Sequence, residues 1–535
     1  MKSSTCNNHQ LNRHALKRYY VIACSICIGA IVLAIFKASN ASITNDEAWN
    51  YNFWIVKGFG FIWHDYSAAN NHMLNTILVR LCCELFGPSE FAIRLPAIFG
   101  FLLFLISLVL LVRELIQNPF LRIYTILVIS CHPYIIDFAS CGRGYSLATG
   151  FSFLALYFFF SAYKKQSKTI FRIENSIKVP LASSFEFHVV ASSICVGCAM
   201  AVLPIALNIF ILLIVGSVFL YWGKGAKQIL LCFAYLITPA VLIGFLTYLH
   251  VLSDMPSKMD FGAQSLLDSI ANLLSTLTYE TQAIVSDTGN PLYSIPVVSW
   301  KELPFPSWFY ENIVAPATTI LFLFFLLGSI LQLFIVGFRS LNRLNAAPSF
   351  LLVSLVSIIL IEYMVFGIKL PLYRTWYIYV PFIVLAGIST VDSLLRSLTY
   401  KVRTIALVCF FFLGSIFIIN SVGKISFSTY REWPDQVLVL ETITILSNEY
   451  ERRLKQLDKQ KISVGYPWPL HACFLFYKKM YGLNWMTIAQ GRIAEKPCWD
   501  FILINSRMDS RFYKEYKSVK AFTLHKAELK VKPTN

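Results

Sequence analysis

The chain is short of charge: only 14% of its 535 residues are Asp, Glu, Lys or Arg. With 56% hydrophobic residues and a mean hydropathy of +0.60, that shortage excludes the roughly three or four soluble domains the length would otherwise allow. A clean small-x-small cleavage site is missing from the first apolar run, which follows Lys17 and Arg18 and extends about 18 residues to Lys37, so the run reads as a retained membrane span. Internal repeats and low-complexity tracts are missing too, which weighs against the paired halves of many transporters. Acids are outnumbered, 29 against 46 basic residues, for a net charge of +17. In a membrane protein that excess is first sorted by side, and no nucleic-acid partner is expected.

What is abundant is apolar sequence. Stretches of spanning length occur at about 19–37, 91–112, 120–139, 144–163, 187–203, 204–222, 229–251, 312–338, 349–368, 374–391 and 403–421, about eleven helices. Basic residues (Arg113 and Arg122; Lys164 to Lys178; Lys224 and Lys227; Arg339 and Arg343; Arg396 to Arg403) mark alternate loops as inner, whereas the 252–311 loop is acidic. Residues 187–222 lie between two basic loops, so they must cross twice, with Pro204 at the turn. The expected topology has the N-terminus inside, outer loops at about 38–90 and 252–311, and an outer tail. The division is 1–421, transmembrane, and 422–535, a small α/β domain with helices near 435–460 and 471–481 and strands in KISVGYPW and WDFILIN. The tail's basic balance suits a solvated surface or lipid headgroups. The thirteen cysteines are scattered, several in apolar runs (Cys24, Cys27, Cys195, Cys232, Cys409), and read as small buried hydrophobes. Cys473 and Cys498 form a disulfide candidate if the tail faces an oxidising compartment.

This topology gathers ionisable residues at the outer surface. TNDEAWNY, Thr44 to Tyr51, follows the first span; Thr44 and Glu47 have capping-box spacing, so Asp46 and Glu47 read either as a helix start or as chemistry. Asn70, Asn71 and His72 share their loop, Asp137 and Arg143 lie between spans three and four, and Glu362, Lys369 and Arg374 lie near spans nine and ten. Arg143 and Arg374 fit interfacial snorkelling as well as a site. Glu362, about two turns inside a span, is costly unless paired and is a candidate for function. Together the groups suit transfer from a phosphate ester with a lipid tail: cations neutralise the departing phosphate and a carboxylate takes the proton of an attacking hydroxyl.

The stretch NDEAWNYNFWIVKGFGFIWHDYSAANNHMLNTILVRLCCELFGPSEFAIRLPAIFGFLL resembles the N-terminal signature of GT-C membrane glycosyltransferases that use polyprenyl-phosphate sugars. That class includes the protein mannosyltransferases (glycosyltransferase family 39) and the aminoarabinose-to-lipid-A transferase. The resemblance rests on the acidic pair, on N-N-H-x-L (Asn70 to Leu74) and on F-G-x-S-E-x-x-x-R-L-P (Phe86 to Pro96). HPYIIDFASCGRGYSLA resembles the second signature, with Arg143 and Tyr145 in its R-x-Y, and PLYRTWYIYVPF, with Arg374, the phosphate-side segment.

The resemblance covers about the first 400 residues and implies a multi-helix membrane domain; joined to the spans and tail read above, the expected fold is an α-helical polytopic membrane protein, GT-C-like, of about eleven spans with a small C-terminal α/β extracytoplasmic domain. It implies an inverting sugar transfer at the outer face of a plasma (bacterial inner) membrane, from a polyprenyl-phosphate-linked donor to a protein, lipid or glycan hydroxyl. Asp46 takes the position of catalytic base with Glu47 its neighbour. Arg143, Arg374, Lys369 and Tyr145 are expected at the donor phosphate, and Asn71, His72, Asp137 and Glu362 are substrate or metal-site candidates. Some members use a divalent cation and others do not, so a metal stays open, with Asp46 and His72 as candidate ligands. A lipid-linked glycan flippase, or an O-antigen ligase or polymerase, is the alternative. A flippase would carry ionisable groups near the midplane, and a ligase a large late outer loop without the acidic pair.

Overall fold

The computed structural model describes residues 2–64, 71–169, 185–222, 225–248, 262–279, 284–285, 291–293, 313, 315–334, 343–433, 436–457, 461–466, 470–488, 500–504, 517–522 and 527–531. In chain order the helices are α1 (Lys2–Asn40), α2 (Asn45–Asn50), α3 (Phe59–His64), α4 (Met73–Phe86), α5 (Glu90–Leu115), α6 (Pro119–Ser130), α7 (Pro133–Ala139), α8 (Tyr145–Thr169) and α9 (Phe185–Val202). They continue as α10 (Leu207–Tyr221), α11 (Ala226–Tyr248), α12 (Leu266–Thr278), α13 (Ala315–Gln332), α14 (Arg343–Phe366), α15 (Val380–Ser397), α16 (Tyr400–Gly423), α17 (Val437–Leu457) and α18 (His471–Met480).

Among the described residues nine helical segments are long and apolar enough to cross a membrane, and α6 with α7 makes a tenth, bent by 55°. The shorter α13 accounts for the remaining predicted span. The chain is a multi-pass membrane protein. The α6/α7 bend has a local cause: Pro133 opens α7 without an N–H to donate, and its ring disfavours helical backbone at His132, whose side chain instead caps the Tyr134 N–H. The predicted turn at Pro204 is a short 3-10 segment, Pro204–Ala206, joining α9 to α10. Cys24 and Cys27, and Cys195 and Cys198, have C-x-x-C spacing, but they lie inside apolar α1 and α9 as free thiols.

Both predicted outer loops carry structure. The first holds α2, α3 and α4; the second holds amphipathic α12, capped by Ser265, whose residue Ala263 forms a bridge with Leu370. Beyond α16 lies a five-stranded mixed sheet in the order β4-β3-β5-β7-β6, built from Ile462–Gly465 (β3), Met486–Ile488 (β4), Phe501–Ile504 (β5), Lys517–Phe522 (β6) and Ala527–Val531 (β7), after the small β1/β2 ladder of Ile284–Val285 and Pro291–Tyr293. β3 runs parallel to β4 and β5, and β7 antiparallel to β5 and β6. β3 and β5 fall on the two predicted apolar stretches and α17 and α18 on the two predicted helices, while β4, β6 and β7 lie outside the predicted strands. Cys473 is buried and free, its thiol 3.5 Å from the Ile43 carbonyl, and Cys498 lies outside the described residues.

This sheet unit does not hang free of the helices. α18 sits on α2: Asn52 donates to the Ala472 carbonyl (3.0 Å), the Ile43 N–H donates to the Tyr477 hydroxyl (2.9 Å), and Tyr477 donates to Glu90. One apolar core joins Ile43, Ala48 and Ile55 of the loop to Phe474, Phe476 and the strands. Burial of that surface, at about 25 cal/mol per Å², fixes α2 from the side away from the helix bundle.

Candidate active site

Asp46 is in the first turn of α2, and what precedes it explains its placement. Thr44 caps the helix, accepting from the Glu47 N–H (3.2 Å), while the Glu47 carboxylate accepts from the Thr44 N–H (2.7 Å), a complete capping box. The Asn45 N–H donates to the side chain of Gln436 (2.6 Å), beyond the last span. Asp46 thereby projects from a turn held at both ends, with its side chain 15% exposed.

Glu47 is fully buried and has no capacity left for chemistry. It forms a two-pronged ion pair with Arg94 (Nε to Oε1 2.9 Å, Nη2 to Oε2 3.1 Å) and also accepts from the Gly142 N–H (2.5 Å). Burial opposes its ionisation, but Arg94 and the N–H groups of Gly142 and Thr44 more than offset that, holding the carboxyl below the ordinary glutamate range. The expectation of a catalytic Glu47 is corrected: it is the anchor under Asp46. Arg94, which the sequence reading left inside a motif without a role, also donates to the carbonyls of Ala38, Ala41 and Ser42, closing the end of α1.

The opposite wall comes from the C-G-R-G-Y turn, 141–145. A side chain at Gly142 would meet Ile93 at 2.6 Å, and one at Gly144 would meet Val202 at 2.7 Å and His72 at 2.8 Å, so both glycines are required by close approach. Between them, Arg143 is 1% exposed, its guanidinium 3.8 Å from Asp46 Oδ2 and 3.3 Å from His72 Nε2. The Gly144 N–H points at His72 Nδ1 (3.1 Å), and Tyr145 packs edge-on against the His72 ring, 5.1 Å away. The third wall is the 3-10 turn Tyr373–Trp376 before α15, from which Arg374 Nη1 donates to Asp46 Oδ2 at 2.7 Å. Arg374 is 25% exposed, so Asp46 and Arg374 face a common opening.

His72 is buried, and burial together with Arg143 and Arg374 pushes its imidazole well below the ordinary histidine range, so it is neutral. Both its ring nitrogens face N–H donors, and Asp46 is matched to two guanidinium groups. That donor set does not fit a divalent cation, and among the described residues no three His, Cys, Asp or Glu side chains converge.

The remaining candidates separate. Asn71 donates to the Ile62 carbonyl (2.9 Å), pinning its own loop; Asn70 lies outside the described residues. Asp137 lies under the site rather than in it: it accepts from Lys37 (2.5 Å), the Tyr279 hydroxyl (2.5 Å) and the Arg431 N–H (3.0 Å), which fills a buried carboxylate. Glu362 accepts from Asn208 (2.9 Å), which also bonds Tyr379 (3.0 Å), a separate polar group between α10, α14 and α15. Lys369 lies in the half-buried linker beside Gly262, next to the Ala263–Leu370 bridge.

One further carboxyl stands at the site with no place in the sequence motifs. Glu432, 9 residues past the end of α16 at Gly423, accepts from the Tyr134 hydroxyl (3.0 Å) and feels the charges of Arg374, Arg431 and Asp46. Nothing local marks it, because it reaches the site through the chain's path and not through a pattern.

This arrangement sits in a helical frame shared with known proteins. No protein-family model and no curated protein sequence matches the chain. Solved structures do: the oligosaccharyltransferase of Archaeoglobus fulgidus in its apo form aligns at 11% identity over 93% of this chain and 72% of that one, TM-score 0.50. The fold is that of the GT-C glycosyltransferases. The archaeal enzyme AglB bound to an inhibitory peptide and a dolichol-phosphate aligns equally well (12% identity, 91% and 70% covered, TM-score 0.50). ArnT from Cupriavidus metallidurans bound to undecaprenyl phosphate aligns at 12% identity over 96% and 97%, TM-score 0.48. At such identities the GT-C likeness is one of fold, and the chemistry has to come from the residues above.

Proposed function

We propose that the protein is an inverting glycosyltransferase that moves a sugar from a polyprenyl-phosphate carrier to an acceptor hydroxyl at the outer face of a plasma membrane. The observation that carries this reading is the partly exposed Asp46 carboxylate held between Arg374 and Arg143 in one opening. In the proposed reaction Asp46 takes the proton of the acceptor hydroxyl as its oxygen attacks the anomeric carbon from the face opposite the phosphate. The bond from that carbon to the phosphate oxygen breaks, its electron pair leaves with the phosphate, and Arg374 and Arg143 neutralise the charge. Phosphate is a good leaving group, so the site needs no separate general acid.

The arginine pairing suits this sequence of events. Without an anion, Arg374 is spent on Asp46; an arriving phosphate competes for the guanidinium and releases the carboxylate to act as base. The dolichol-phosphate held by a protein of the same fold supports the same class of carrier. In this reading the N-terminus and the basic loops lie in the cytoplasm and the sheet unit outside, and the acceptor is a protein, lipid or glycan.

The test is mass spectrometry of lipid-linked sugars and glycans from cells with the wild-type protein, without it, and with Asp46→Asn. Cells lacking the protein and cells with the variant should accumulate one polyprenyl-phosphate sugar and lose one glycan modification. Unchanged lipid-linked sugars and glycans in both would sink the proposal.

A further inference from the structure

Glu432 is carried on a strap, Thr429 to Trp433, that connects α16 to the sheet unit and runs through the floor of the site. The strap is fixed along its length. Lys37 donates to the Thr429 carbonyl (2.7 Å), Tyr430 donates to the Ser140 carbonyl (2.9 Å), and the Arg431 N–H donates to Asp137. The Arg431 guanidinium reaches Ser275 (3.1 Å) and Thr276 (3.2 Å) of α12, and the Trp433 ring meets Phe138 edge-on. The position of Glu432 is therefore rigidly set.

A structural role does not need its charge. Tyr134 requires only an acceptor, which an amide would supply, and the neighbouring cations are engaged elsewhere, Arg374 with Asp46 and Arg431 with α12. Burial pushes the Glu432 carboxyl up to about 7, against the pull of Arg374, Arg431 and Tyr134 and with the push of Asp46. Such a carboxyl is costly to keep unless it meets something. It is half-buried, and Tyr134, at one of its two oxygens, is its one hydrogen-bond partner among the described residues.

The reaction proposed above divides into a proton, a phosphate and a sugar. Asp46 answers the first and the arginines the second. The ring to be transferred lies between them, since its anomeric carbon is bonded to the phosphate and faces the base. Its hydroxyls, withdrawn from water, need partners, and a carboxyl beside Arg374 is placed to supply one. We infer that Glu432 binds the transferred sugar, its second carboxyl oxygen accepting a hydrogen bond from a ring hydroxyl or ammonium. The inference rests on the glycosyl-transfer reading.

The test is equilibrium binding to the full chain in lipid nanodiscs. The ligands are bare undecaprenyl phosphate and the same carrier bearing glucose, mannose or a 4-aminopentose, competed against a fluorescent undecaprenyl phosphate. For the wild type, at least one sugar-bearing carrier should bind more tightly than the bare one. Glu432→Ala should erase that difference, about tenfold or more, and leave bare-carrier binding unchanged. Glu432→Gln, which keeps an acceptor oxygen, should restore part of it for a hydroxyl sugar. Equal weakening of bare and sugar-bearing carriers by Glu432→Ala, no weakening of either, or a wild type indifferent to the sugar would each overturn the inference. A bare carrier that does not bind the wild type saturably, with Arg374→Ala without effect, would instead remove the glycosyl-transfer reading beneath it.

Discussion

Arg374 donates a 2.7 Å hydrogen bond to Asp46 across 328 positions of chain, so the phosphate-binding candidate and the base candidate neutralise each other. Removing the guanidinium should free the base and lose the anion at once. Arg374→Ala should raise the KM for a polyprenyl-phosphate donor tenfold or more, roughly the loss of a charge-assisted pair, and lower kcat as the leaving phosphate goes unneutralised. Arg374→Lys should recover only part, because a point charge does not reproduce the planar fork. Donor-dependent transfer kinetics read both, and an unaltered KM in the alanine variant would remove Arg374 from the site.

Glu47 predicts a different phenotype from Asp46. Glu47→Gln leaves Arg94 buried without its counter-charge, at a cost of about 3 kcal/mol. The expected result is a fall in thermal stability, followed by fluorescence-detected size exclusion, where Asp46→Asn loses transfer with its stability intact. Because the folded Glu47 carboxyl lies below its usual value of 4.5, its contribution is present above that pH and lost as pH falls through the lowered value. The two proteins should therefore converge in stability in acid.

Glu432 has the opposite sign. Its carboxyl is raised to about 7, so the folded state holds a proton that the unfolded state has released, and stability falls as pH rises through 7. Between pH 8 and pH 6.5 the difference should be roughly 1 kcal/mol, with Tyr134, Arg374, Arg431 and Asp46 as the facing groups. Glu432→Gln should flatten that slope in a thermal melt. His72, whose lowered value costs stability as pH falls through about 6.5, contributes equally to both proteins and cancels in the comparison of variant with wild type. Equal slopes for variant and wild type would show that Glu432 ionises as it does in water.

Much of this was legible in the sequence and some was not, for identifiable reasons. Apolar runs and basic loops announce spans because a bilayer leaves backbone few options, and the predicted spans match the helices. Asp46, Arg143, His72 and Arg374 were legible because motif and topology agreed. Glu47 looked like a cap and like a catalyst, and only its burial against Arg94 separates the two. Glu362 was read as a carboxylate costly unless paired and Asp137 as a substrate or metal-site candidate, but position in the sequence does not give a partner: Asn208 and Lys37 engage them away from Asp46. Glu432 follows the last span with no periodic or spacing signal, and only the strap's route brings it in.

Gln436 offers a check on the sheet unit's role. Its side chain accepts from the N–H of Asn45, the residue before the base, so Gln436→Ala should lower kcat severalfold while donor KM stays near wild type. A proportionate rise in KM with kcat unchanged would mean that Gln436 serves donor binding and not the aim of Asp46.

The strap also sets an order of assembly. A ribosome that has made Asp46 has made its helix but not what holds it: Gln436 and the Tyr477 hydroxyl come about four hundred residues later, and Arg431 must still reach Asp137 and α12. A nascent chain released after its final span would already possess the base and both arginines, yet its base helix would lack its outer support. Competence is conferred by the last fifth of translation.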